Sequence, residues 1–462
     1  MTDAGPRKET LTNFSDLDEL DELAAPAPIS PGFSQRETHL EERPQDEALD
    51  ELAAPAPISP STSHRASHLE DRPSTPSLTE KSQSPTPSPS RLETETYTIA
   101  YLILFSILGT LARLGLQALT VYPGAPIQTG IVWANVAGSM IMGFLSEDRM
   151  LFRQEEEDEA MRTNGLARTA SHMQKHTATK KGLPLYIGLA TGFCGSFTSF
   201  SAFMRDAFFA LANSLPVPVQ HPTIPTPSST VIDTQRNVHR DGGYSLMALL
   251  TVLIANLGLS LGGLQVGAHV ALASERWLIR VPALVGRVIF DRLAVLLAVG
   301  LWVGSIVMVV LPPDRPSGPV GNTRTWAQET WRSQALFSLV FAPLGCLLRF
   351  YVSLKLNGRI KSFPLGTFAV NSFGTVMEAL FVDLQRVPVG GHLGCQILQG
   401  MEDGFCGCLT TVSTWVVEIN GLRRRHGYVY AVSSIAVGLA FFVVISGSLL
   451  WTRGFKPLTC MT

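Results

Sequence analysis

Apolar and polar positions divide the chain into two unlike parts. Residues 1 to about 95 mix short apolar stretches with Pro, Ser, Glu and Asp. Such a segment buries too little apolar surface to offset its ordering entropy, so a disordered tail is expected. From about residue 96 the apolar residues come in runs of about 20, each long enough to cross a bilayer core of about 30 Å. Nine runs are read, at 96–121, 126–146, 184–212, 244–270, 293–312, 334–354, 364–386, 398–420 and 427–452. Nine such runs cannot all be buried in one soluble core. The run at 398–420 is the weakest, with Glu402 and Asp403 near its start. The expected fold is an all-α polytopic membrane protein with nine transmembrane helices.

The membrane part repeats itself. GFCGSFTSFS at Gly192–Ser201 and GFCGCLTTVS at Gly404–Ser413 share six positions at an offset of 212. Arg113 matches Arg349, and Asn135 matches Asn371, both at an offset of 236. Each asparagine has a glycine three residues on, Gly138 and Gly374. Spans one to four and six to nine therefore form two copies of a four-helix unit, at 96–272 and 334–455. A direct fusion of two even-numbered units leaves them parallel. The single helix in the 273–333 linker inverts the second copy. Inverted repeats about an axis in the membrane plane mark transporters and channels, with sites near the midplane where helices break. The tail has its own repeat, DELAAPAPISP at Asp21–Pro31 and again at Asp50–Pro60, with a period of 29. It is read as duplicated low-complexity sequence.

Charge adds orientation. The formal net charge is only -2, but Lys and Arg gather in alternate loops. Arg149, Arg153, Arg162, Arg168, Lys175, Lys180 and Lys181 follow the second span, and Arg423, Arg424 and Arg425 follow the eighth. The positive-inside rule then predicts a cytoplasmic N-terminus and an outside C-terminus. Of the six cysteines, Cys194, Cys346, Cys406 and Cys408 lie within the spans, Cys406-Gly-Cys408 is read as small packing residues, and nothing suggests a disulfide framework. No phosphate loop, metal cluster or nucleophile–base set points to an enzyme. The lipid bilayer is an expected partner, and nucleic acid is not.

Polar groups at membrane depth face the protein interior or a water-filled path. In the repeated phrase, Gly195, Ser196, Thr198, Ser199 and Ser201 stand against Gly407, Thr410, Thr411, Ser413 and Thr414. Either these small residues let helices approach closely, or each phrase is a local helix break. Two antiparallel breaks crossing at the axis would gather free carbonyls suited to a small cation such as Na⁺. Asn135 and Asn371 either bridge helices or donate their NH₂ to an anion. Arg113 and Arg349 are read as structural, snorkelling or capping carbonyls. Phe200 and Phe203 are matched by Val412 and Trp415, and the positive edge of a Phe ring can meet an anion.

With its N-x-x-G, GFCGS-T-F-S and arginine motifs on four-helix units, residues 96–455 resemble the CrcB/Fluc fluoride channels, in the fused form of the eukaryotic fluoride exporters. The resemblance implies passive, fluoride-selective export across the plasma membrane by a single-chain pseudo-dimer. It also implies a central structural Na⁺ on the carbonyls of Gly195, Thr198, Gly407 and Thr410. The copies differ: copy two has Thr367, Tyr430 and Ser434, where copy one has Ile131, Val252 and Asn256. One working pore is expected, built from Thr367, Asn371, Tyr430 and Ser434 with Phe200 and Phe203, beside a degenerate pore around Asn135. No charged residue is expected in the path. The alternative is an ion-coupled transporter of another small solute, with Glu378 or Glu418 as the coupling carboxylate. Glu418 and its counterpart Asp206 lie near helix ends and are otherwise read as interfacial.

Overall fold

The computed structural model describes residues 91–122, 129–148, 180–215, 242–275, 285–311, 330–387 and 390–456, with a few isolated positions besides. The expected disordered tail, its internal repeat and most of the basic loop after the second span lie outside the described residues. The described chain forms nine helical segments in the expected order. They are α1 (Arg91–Thr120), α2 (Ile131–Glu147), a broken α3, α4 (Gly242–Ser274), α5 (Val285–Val310), α6 (Thr330–Leu356), α7 (Leu365–Leu384), a broken α8, and α9 (Arg424–Arg453). Seven are long and apolar enough to cross a membrane, and α2 is a shorter apolar helix. The broken α8 contains the run that was weakest in hydropathy.

The two broken helices are built alike. The first half of α3 comprises Pro184–Ile187, a π-helical segment Gly188–Cys194 and a last turn Gly195–Phe197. Its second half, α3b, is Phe200–Leu211. The first half of α8 comprises Gly391–Gly400, a π-helical segment Met401–Cys406 and a last turn Gly407–Leu409. Its second half, α8b, is Ser413–Gly421. π-Helical turns shift the register of a helix and concentrate at functional sites; here each leads into a break.

Contacts between the copies show that the second is inverted. Arg113, late in α1, donates to the carbonyl of Asp403, and Gln334, early in α6, donates to the same residue's side chain at 3.1 Å. Arg349, late in α6, donates to the Thr191 carbonyl at 2.6 Å. The neighbouring glycines Gly188 and Gly192 pack on Tyr101, Leu102 and Phe105, early in α1. The end of each helix is thus level with the start of the other, so α1 and α6 run antiparallel. α5 joins no break. It lies along α1 and α6, where the Tyr101 hydroxyl donates to Asp291 at 2.9 Å and the Trp302 indole donates to the Val340 carbonyl at 3.0 Å. Its other side exposes Leu296, Val299, Val303 and Val310, as suits a lipid-facing spacer.

The copies are not equally tight. In copy one, a Cβ on Gly263 would press on the Val136 carbonyl, and one on Gly267 would strike the Met140 backbone. Gly143 likewise meets the Leu264 backbone. These glycines bring α2 and α4 into backbone contact, as small residues do between membrane helices. At the corresponding positions of copy two stand Phe441, Ile445 and Ala379.

One cysteine departs from expectation. Cys194, Cys346, Cys406 and Cys408 are free and buried, as packing residues should be. Cys395, at the start of α8, is disulfide-bonded. Its six-membered set of cysteines showed no regular spacing, so pairing was invisible until the fold placed Cys395 at a helix end.

Candidate functional site

Both repeated phrases are helix breaks. Thr198 (φ -100, ψ 151) and Ser199 (φ -142, ψ 123) are extended between the halves of α3. Thr410 (φ -94, ψ 154) is extended at the matching place in α8. A break leaves the first N–H groups of the following half-helix without partners. Here the opposite copy supplies them. Thr410 Oγ1 accepts from the N–H groups of Phe200 and Ser201, both at 3.1 Å. Thr198 Oγ1 accepts from Val412 at 3.2 Å and Ser413 at 3.1 Å. Each hydroxyl spends its own proton on its own helix, on Cys406 at 2.9 Å and Cys194 at 3.0 Å. Each threonine therefore caps the other copy's half-helix from across the interface, in α3b alongside the N-cap Ser199, whose hydroxyl accepts from Ala202 N–H at 3.2 Å.

The asparagines hold the breaks open. Asn135 Oδ1 accepts from Ser199 N–H at 2.9 Å, and its Nδ2 reaches Ser199 O at 3.4 Å. Asn371 treats Thr411 the same way, at 2.9 Å and 3.2 Å. The copies then part. The second Nδ2 proton of Asn135 goes to Asn256 Oδ1 on α4 at 3.0 Å. The position of Asn256 in copy two is Ser434, whose hydroxyl turns back to the Tyr430 carbonyl at 2.7 Å. Asn371 Nδ2 has Thr411 O as its only acceptor among the described residues, so one amide proton stays free.

Arg113 and Arg349 are carbonyl caps across the repeat. Arg349 Nη1 bonds the Gly195 carbonyl at 2.6 Å and the Thr410 carbonyl at 3.4 Å. A Cβ on Gly195 would collide with the Arg349 guanidinium, and one on Gly407 with that of Arg113. This is a test of the expected cation set. Two of its four carbonyls, one from each copy, converge on a single cationic nitrogen, so the donors suit a cation. A bound Na⁺ would compete with Arg349 for the oxygens of Gly195 and Thr410.

A stripe of α9 at i, i+4 spacing, Tyr430, Ser434, Gly438, Phe442 and Ser446, is buried towards the interior. At one end of this stripe the structure adds a residue that the sequence reading placed elsewhere. Glu418 on α8b is 1% exposed. Its carboxylate accepts from Thr367 Oγ1 at 2.6 Å, Tyr430 OH at 2.7 Å and Asn357 Nδ2 at 3.2 Å. It is buried within the protein, and it puts a charge-bearing group directly on two expected pore residues. Its donors come from α6's end, α7 and α9, which sequence neighbours could not reveal. At Gly438 the stripe loses its side chain, and Met204 and the Phe200 ring of copy one fill the gap, 2.8 Å and 3.2 Å from a built Cβ. Phe203 meets Phe200 edge-on at 5.8 Å, and Trp415 meets it edge-on at 5.2 Å. Beyond them Phe442 stacks on Phe208 at 5.8 Å. The expected pore residues thus fall on facing elements: Thr367 and Asn371 on α7, Tyr430 and Ser434 on α9, Phe200 and Phe203 on α3b.

Glu378 belongs to a separate group. Ser201 donates to it at 2.6 Å, and Arg205 pairs with it at 3.0 Å. Arg205 also approaches Glu402 at 3.6 Å and Asp206 at 3.7 Å. Asp206, like Glu418, is buried within the protein.

Two inverted units, crossed at their breaks and capping one another, define a fused inverted-repeat membrane protein. A profile described as "CrcB-like protein, Camphor Resistance (CrcB)" matches it twice, at residues 100–218 and 336–447, and the chain belongs to this family. It is 51% identical over 388 residues to "Fluoride export protein 1" of Neurospora crassa, covering 81% of this chain and 70% of that protein. Identity is 32% to the protein of the same description in Candida albicans, over 81% of this chain and 85% of that one. The bacterial "Fluoride-specific ion channel FluC" of Acinetobacter baylyi is 36% identical over 115 residues, 24% of this chain and 81% of its own length. A single bacterial chain thus corresponds to about one copy. No solved structure gives a significant match.

Proposed function

We propose that this protein is a passive, fluoride-selective channel that lets cytoplasmic fluoride leave the cell and so confers fluoride resistance. Relatives described as fluoride export proteins and a fluoride-specific channel support the substrate. The observation that carries the mechanism is the free amide proton of Asn371, set where Asn135 has Asn256 against it. One pore works, and it belongs to copy two. Fluoride is small and strongly hydrated, so a narrow path has to replace its water with donors. Asn371 NH₂, the hydroxyls of Thr367 and Tyr430, and the positive edge of Phe200 are such donors. They are uncharged, which lets the ion leave as well as enter.

Glu418 tunes this track. Its carboxylate shares the Thr367 and Tyr430 hydroxyls, so an arriving fluoride exchanges with an existing acceptor. In copy one the same lane carries Ile131, Val252 and Asn256, and glycines close α2 against α4. Passive flow rather than coupled transport is favoured because Glu378 is already paired with Arg205 and Glu418 is already held by three donors.

The Gly195, Thr198, Gly407 and Thr410 carbonyls would hold a structural Na⁺, which would fasten the two breaks together by charge. The chain lies in the plasma membrane as a single-chain pseudo-dimer, N-terminus inside. The disulfide at Cys395 supports that orientation, because disulfides persist on the oxidising side of a membrane and this orientation has α8 starting outside. Expression in a fluoride-sensitive deletion strain tests the reading. Wild type and Asn135→Ala should restore growth on fluoride, and Asn371→Ala should not. Rescue by Asn371→Ala and failure by Asn135→Ala would overturn the pore assignment.

A further inference from the structure

The largest fully buried side chain among the described residues is Trp415 on α8b. Its indole N–H has no hydrogen-bond partner among the described residues. Buried N–H groups in native proteins are almost always paired, and an unpaired one costs about 1–3 kcal/mol. Burial of a bare donor at this place therefore points to a partner that is not part of the chain.

The position narrows what that partner is. Trp415 and Glu418 are three residues apart on α8b, so they share one face of the helix. Glu418 on that face grips Thr367, Tyr430 and Asn357. The Trp415 ring meets Phe200 in an edge-on packing at 5.2 Å. Phe200 in turn sits over Gly438, one turn along α9 from Ser434. Trp415 therefore bridges the polar end of the track and its aromatic end. In copy one the corresponding residue is Phe203, which has no donor. The difference between the copies is thus a gained N–H, on the side where the track is polar.

We propose that the Trp415 indole N–H is a fluoride-binding donor in the working pore, handing the ion between the Asn371 and Tyr430 donors and the Phe200 ring edge. The Trp is not a degenerate phenylalanine. It supplies a neutral, rigid donor at the step where the hydroxyls run out. The inference rests on the channel reading above.

The test uses full-length protein in liposomes loaded with fluoride. Trp415→Phe restores the residue of copy one and removes the N–H. A second variant carries 3-benzothienylalanine at 415, which keeps the bicyclic shape and has sulfur in place of the N–H. Both should lower fluoride efflux about tenfold or more, as loss of one hydrogen bond to a charged group would, with an unchanged gel-filtration profile. Wild-type efflux from the benzothienyl variant would overturn the proposal, leaving water as the partner of the indole. A wild-type protein that moves no fluoride would overturn the channel reading beneath it, which makes the two failures distinguishable.

Discussion

Thr410 caps the half-helix that carries Phe200, across the interface between the copies. Its Oγ1 lies 3.1 Å from the Phe200 N–H. The reciprocal cap, Thr198 on Val412 at 3.2 Å, serves a half-helix of the other copy. Each break is therefore built only when the other copy is in place. The caps are shared, and the side chains they aim are not.

Removing the caps should separate assembly from conduction. Thr198→Val and Thr410→Val keep the branched shape and lose the acceptor. Each should destabilise the fold by about 1 kcal/mol, the usual worth of an N-cap, seen as a lower thermal midpoint in detergent. Thr410→Val should also reduce fluoride efflux more than Thr198→Val if the proposed pore, which α3b faces, is the one that conducts. Equal losses of efflux would argue that both pores conduct.

Glu418 should not tolerate loss of its acceptor. Glu418→Gln keeps one oxygen, which can still accept from Thr367 and Asn357, and turns an NH₂ towards the Tyr430 hydroxyl. A buried donor facing a donor costs about 1–3 kcal/mol, and the carboxylate charge is lost as well, so fluoride efflux should fall about tenfold. Tyr430→Phe in the same background should restore part of it by removing one clash. A Glu418→Gln variant that conducts like wild type would place the carboxylate outside the path.

The tight face of copy one should be structural only. Gly267→Leu drives a side chain into the Met140 backbone. Overpacking of this kind costs about 1–3 kcal/mol, so expression and thermal midpoint should fall. The residue of copy two, Ile445, shows that the same position accepts bulk where the helices stand apart. A Gly267→Leu variant as stable as wild type would contradict the backbone contact between α2 and α4.

Arg349 and Na⁺ should compete. The guanidinium and the proposed ion draw on the carbonyls of Gly195 and Thr410. Replacing Na⁺ by a bulky organic cation should lower the thermal midpoint of the wild type. Arg349→Gln should make that dependence on Na⁺ steeper. A midpoint indifferent to Na⁺ in both proteins would remove the ion from the account.

Most of the fold is legible in the hydropathy pattern, because each span writes its length as an apolar run and each copy repeats Arg, Asn and the glycine phrase. The inversion was legible from counting, since one extra helix between two even units leaves no other choice. What the pattern could not show is which atoms meet across the copies. Arg113 finds its carbonyl 290 residues away, so its role stood between snorkelling and capping until the fold joined them. Glu418 lies near the end of α8b, and its sequence neighbours do not show what it binds. Its partners Asn357 and Thr367 are 61 and 51 residues distant. The block on Asn135 came from Asn256, 121 residues on, and was visible beforehand only as a departure from the polar track of copy two. Cys395 was misread for the same reason: pairing depends on which ends lie together in space.

The central claim is fluoride-selective passive flow through this chain alone. Purified protein in liposomes, with internal fluoride or chloride and an ion-selective electrode outside, measures it directly. The account predicts rapid fluoride efflux, driven only by the gradient and the membrane potential, and chloride efflux no faster than from protein-free liposomes. Equal efflux of the two ions, or none of fluoride, would contradict it.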